Sequence, residues 1–95
     1  MERLQYRFLC YDREAEKFSL VGYPLSLSPV EHRLLLAILE NGARSFDELS
    51  RLGRQPLSRS GISVHVHAIN RKAAEISGRR LVEFRDGAYR LNREM

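Results

Sequence analysis

Three histidines, one cysteine and an excess of arginines are what this 95-residue chain has available for chemistry. His65 and His67 stand two residues apart, and Arg71 follows four residues later. An H-x-H pair on a strand would suggest a metal site. On a helix the two rings point about 160° apart, and no cysteine or aspartate lies nearby to complete a ligand set. Hydrolysis or group transfer would need an activated nucleophile or paired carboxylates, and the sequence offers neither. Enzymatic activity, metal and cofactor are therefore not expected. Imidazole and guanidinium together can instead bond to base edges and phosphates: Arg71 to guanine or phosphate, His67 to a base edge or backbone. Val64 and Ala68 beside them can meet thymine methyl groups.

Whether these side chains share a surface depends on the element that carries them. Within Ser60–Ser77, Ile62, Val66, Ile69, Ala73 and Ile76 recur at alternating spacings of four and three, a single stripe on a 3.6-residue helix. Ile62 to His67 also alternates apolar and polar, which would suit a strand. Past Ala68 that alternation fails, because Asn70, Arg71 and Lys72 are all polar, whereas the helical stripe continues to Ile76 and Gly78 supplies a left-handed stop. The spacing predicts a helix. Its outward face is then Ser60, Val64, His67, Ala68, Arg71 and Glu75, with one acid only, a face suited to a DNA major groove. His65 projects to the flank, where it can be a partly buried, satisfied side chain. Ser58, Arg59 and Ser60 lie at the helix start, where capping is the expected role and phosphate contact the alternative.

Charge supports the same direction. The net charge is +4, and residues 1–43 hold five Lys/Arg against six Asp/Glu, while residues 44–95 hold eleven against six. The positive excess accompanies the proposed helix, as polyanion binding through counterion release would require. A hydrophobic content of 43% with 29% charged residues suits one globular domain spanning 1–95, with no apolar run long enough for a membrane span and no signal-peptide core. The lone Cys10 reads as a small hydrophobe in a reducing compartment, so the expected location is cytoplasmic.

Along the chain, Tyr6 to Cys10 reads as a strand, residues 12–16 as a turn, and Lys17 to Val21 as a second strand. Gly22-Tyr23-Pro24 reads as a break and Leu25-Ser26-Leu27 as a short third strand. The meander occupies 5–27. A three-helix core over 29–77 follows. Ser28-Pro29-Val30-Glu31 is a capping box with proline at the first helical position, and that helix ends at Asn41-Gly42. His32 reads as a surface residue of its first turn. Ser45-Phe46-Asp47-Glu48 repeats the device for a short helix through Leu52, with Gly53 as its stop. Residues 54–59 form the loop to the third helix, a helix-turn-helix layout. Finally, 80–92 reads as a hairpin turning on Asp86-Gly87, flanked by Arg85 and Arg90, whose basic tip would reach phosphates or a minor groove.

Three segments in order resemble the effector domain of OmpR/PhoB-type response regulators: Leu25 to Glu31 followed by Leu34-Leu35, Ile62 to Lys72, and Arg85 to Leu91. The resemblance implies an α+β fold, a winged helix-turn-helix with an N-terminal antiparallel sheet of four strands, three helices and a C-terminal β-hairpin wing. It also implies sequence-specific binding of double-stranded DNA to regulate transcription in a two-component system, often as a homodimer on DNA. A contact from the 54–59 loop to RNA polymerase is implied as well. A receiver domain normally precedes this module, and these 95 residues do not contain one. The chain departs from the pattern at Ser63, where the family has an acid, at Ala68 and Asn70, where it has arginines, and at Leu52 and Asp86. The expected DNA contacts are Arg59, Ser60, Val64, His65, His67, Ala68, Arg71, Lys72, Arg85 and Arg90, with His65, at the place of a family histidine, implied to meet a phosphate. Because Ala68, Asn70, Glu75 and Asp86 thin the positive face, the competing reading is a winged helix that serves as a protein-interaction module.

Overall fold

The computed structural model describes residues 3–53 and 55–93. An antiparallel sheet opens the chain, with β1 (Arg3–Tyr6), β2 (Leu9–Asp12), β3 (Lys17–Leu20) and β4 (Tyr23–Leu25) side by side in that order. Leu9, Tyr11, Phe18, Leu20 and Leu25 turn one apolar face inward, as the two-residue pleat requires. The expected strand Tyr6–Cys10 is in fact two strands. Tyr6 pairs with Leu9 across a two-residue turn at Arg7-Phe8, where Arg7 takes φ +53° with no glycine to announce it. Gly22 is also not a break. Val21-Gly22 is a tight turn joining Leu20 to its partner Tyr23, so the last strand is 23–25 and not 25–27. Pro24 fits there because β4 is an edge strand.

Helix α1 (Pro29–Asn41) begins as its sequence dictates. Ser28 Oγ accepts from the Glu31 amide at 3.3 Å, Glu31 Oε1 accepts from the Ser28 amide at 3.0 Å, and Gly42 closes the helix at φ +81°. Leu34, Leu35 and Ile38 face the core. His32 is half-buried rather than a surface residue, with its ring edge-on to Tyr11 and Phe18 at 5.5 and 5.1 Å between centroids. Burial, and then the nearby acid Glu16, push the Tyr11 hydroxyl above the ordinary tyrosine range.

A strand absent from the sequence reading, β5 (Ala43–Ser45), follows at once, and Ser45 then caps α2 (Phe46–Ser50) with a second complete capping box. This helix stops at Ser50, two residues short of the expected Leu52, and Gly53 is not its left-handed cap. Gly53 makes room instead. A Cβ there would lie 2.8 Å from the Arg33 guanidinium. Helix α3 (Arg59–Ser77) packs across α1 and α2, and the chain ends in the hairpin β6 (Val82–Arg85) and β7 (Ala88–Leu91). Asp86 and Gly87 both take positive φ, +54° and +76°, the requirement of a type I′ turn. The hairpin is completed by β5 in the order β5-β7-β6. One continuous core joins the two sheets to the helices through Leu9, Leu35, Ile38, Leu49, Ile62 and Ile69.

Candidate nucleic-acid interface

Helix α3 is 19 residues long and starts at Ser58, whose hydroxyl accepts from the Gly61 amide at 3.0 Å. Gly78 ends it at φ +76°. Ile62, Val66, Ile69 and Ala73 are buried and Ile76 is half-buried, so the stripe packs inward and fixes the helix's rotation. The opposite face is open: Ser60, Ser63, Val64, His67, Arg71 and Glu75 are exposed, and Ala68 is half-buried. Val64 is 65% exposed at the middle of this face. His65 is half-buried on the flank. At the helix start, the Arg59 guanidinium lies over the Phe46 ring, 4.5 Å from its centroid, which holds that cation beside the first turn of α3.

Lys72, an expected DNA contact, and Asn70, expected only as a lost one, both hold the fold together. The Lys72 ammonium is 2.6 Å from Oε1 of the buried Glu31 and ties α3 to α1. Burial alone would raise the Glu31 carboxyl, but the Lys72 ammonium and the Ser28 amide and hydroxyl outweigh it and hold the group below the usual carboxylate range. Asn70, where the resembling family carries arginine, is a clamp. Its Oδ1 accepts from the Leu81 and Val82 amides at 3.0 and 2.8 Å, and its Nδ2 donates to the Val82 carbonyl at 2.9 Å. Two N–H donors on one atom identify that atom as oxygen. The side chain therefore sets where the wing begins relative to α3.

Between α3 and the wing runs a groove of about 730 Å³. Ser63, His67 and Arg71 border it from the helix, and Arg80, Phe84 and Tyr89 from the other side. Glu83 borders it as well, the one acid in its lining. Phe84 pairs across the hairpin with Tyr89 and shares its face, whereas Arg85 lies on the other one. Arg85 and Arg90 accordingly border a separate recess of about 240 Å³ with Gln5, Tyr6 and Leu39. Arg85 Nη1 lies 3.1 Å from Glu83 Oε1, and Arg90 Nε donates to the Arg85 carbonyl at 3.2 Å. The structure thus gathers Ser60, Val64, His67, Ala68 and Arg71 on one surface and leaves Lys72, Arg85 and Arg90 off it. Arg80 and Phe84, which sequence reasoning did not single out, line it. The signal for Phe84 was the alternation from Val82.

Among the described residues, no group of three His, Cys, Asp or Glu could hold a metal ion, and no helix is long and apolar enough to cross a membrane.

A four-stranded sheet, a helix-turn-helix within three helices and a terminal hairpin define the winged helix-turn-helix fold. The solved structures similar to this chain include the DNA-binding domain of the response regulator AdeR, with 18% identity and a TM-score of 0.75 over 93% of this chain and 97% of that one. The RstA DNA-binding domain of Klebsiella pneumoniae is another, with 16% identity and a TM-score of 0.77 over 96% of this chain and 97% of that one. No family model matches the sequence, and no curated protein does.

Proposed function

We propose that residues 1–95 act as one DNA-binding domain of a transcriptional regulator of the response-regulator type, with α3 in the major groove of a duplex and the wing beside it. The observation that carries this reading is the outward face of α3. Val64, His67 and Arg71 are all exposed on a helix whose rotation the buried stripe fixes. Arg71 and Arg80 place cationic groups on the groove beside that face, where a phosphate strand would run. Support comes also from the two similar structures, which are of DNA-binding domains in complex with an intercistronic region and with an RstA box. Ser60, Val64, His67, Ala68 and Arg71 are the contacts of α3 in this reading, and Arg59 serves a phosphate at its start. The domain is not catalytic, works in the cytoplasm, pairs with a second copy on DNA and turns its 54–59 loop toward RNA polymerase. Arg54 lies outside the described residues.

The competing protein-interaction reading rests on Ala68, Asn70, Glu75 and Asp86, and Ala68 and Glu75 do stand on the outward side of α3 without a cation. Asn70 and Asp86 have structural reasons, one as the α3–β6 clamp and the other as the first residue of a type I′ turn. The test is a salt titration of binding to a random duplex. Log affinity should fall linearly with log salt, by about 0.9 for each phosphate neutralised. Absent or salt-independent binding at low ionic strength would return the competing reading to first place.

A further inference from the structure

Phe84 is 56% exposed although it lies directly beside the core, its ring edge-on to Tyr89 at 4.9 Å between centroids. An aromatic ring held by a second ring has lost much of its freedom before any partner arrives, which lowers the cost of ordering it on binding. It borders the groove with His67, Arg71 and Arg80, and the one acid there, Glu83, is paired with Arg85 at 3.1 Å. An apolar platform bordered by cations matches a nucleic-acid strand, whose phosphates meet the guanidinium groups while sugar and base edge meet the ring. The arginines of the hairpin border the other recess, with Arg85 held to Glu83 and Arg90 Nε bonded to the Arg85 carbonyl.

Resting on the DNA-binding reading above, we infer that the wing grips the duplex through Phe84, packed against the sugars and base edges of the strand that crosses the α3–wing groove, and not through Arg85 or Arg90. A contact of this kind is apolar, so it adds affinity without releasing counterions.

The experiment compares wild type with Phe84→Ala, Phe84→Leu, Arg71→Ala and Arg85→Ala for binding to one duplex across a salt series, each variant first checked for an unchanged thermal transition. Phe84→Ala should weaken binding about tenfold, the order expected for losing roughly half a phenylalanine's apolar surface. Its salt slope should match that of wild type, and Phe84→Leu should recover part of the loss. Arg71→Ala should flatten the slope by about 0.9, and Arg85→Ala should stay within about twofold of wild type. If wild type binds and Arg71→Ala weakens it while Phe84→Ala does not, the inference falls and the DNA-binding reading stands. A larger loss for Arg85→Ala than for Phe84→Ala moves the wing contact to the arginine face and also overturns it. A Phe84-dependent preference for single strands over duplex would mean that the ring stacks on unpaired bases, and no duplex binding by wild type would remove inference and reading together.

Discussion

Replacing Asn70 by alanine should cost the fold about 2–4 kcal/mol, although the residue lies on the helix read as the DNA-contacting element. Three hydrogen bonds are lost, and the cost lies in the groups they leave behind. Leu81 and Val82 are almost wholly buried, so their two amides are left with no ready access to water, at about 1–3 kcal/mol for each unsatisfied group. Partial relaxation and water entry bring the sum down to the range given. For a domain of this length that corresponds to a fall in Tm of roughly 10–25 °C. Asn70→Asp retains an acceptor for both amides but sets an oxygen against the Val82 carbonyl, so it should fall between wild type and Asn70→Ala. Asn70→Arg cannot accept either bond and should be as damaging as alanine. Thermal and urea unfolding followed by circular dichroism measure all three. If Asn70→Ala lies within about 0.5 kcal/mol of wild type, or Asn70→Arg raises duplex affinity with stability untouched, the clamp is wrong and the position faces DNA.

The Glu31 carboxyl, held below its unfolded-state range, contributes stability that is fully present above the ordinary carboxylate value and is lost as pH falls through its folded value. Lys72→Met should therefore cost about 1–2 kcal/mol at neutral pH, discounted because the Lys72 side chain is 33% exposed. That difference should shrink in urea unfolding carried out near pH 3, and a difference independent of pH would exclude the linkage. Val21 holds φ +51° at the first position of its two-residue turn, a strained place for a β-branched residue. Val21→Asn should raise stability by about 1 kcal/mol in the same assay, and a loss would show that Val21 is held there by packing.

What could be read from the sequence was local. Each capping box lies within four residues, the Asp86-Gly87 turn announces itself, and the α3 stripe repeats often enough to outvote the short strand pattern at its start. What could not be read depends on partners far away in the chain. β5 is three residues with no pattern of its own and exists because β7 pairs with it. The Arg7-Phe8 turn has none of the usual turn residues. Asn70 and Lys72 look like members of a polar helix face until β6 and Glu31 arrive beside them. Arg85 and Arg90 flank the hairpin tip in sequence, yet the pleat sends them away from α3 once Val82 is pinned inward.

An amide chemical-shift map of the isotopically labelled domain, titrated with a short duplex, tests the assignment of α3 as the DNA-contacting element. The largest shifts should fall on Ser60 to Arg71 and along Arg80 to Phe84, with β1 to β4 little changed. Shifts concentrated on the N-terminal sheet, with Val64, His67 and Arg71 unmoved, would contradict it.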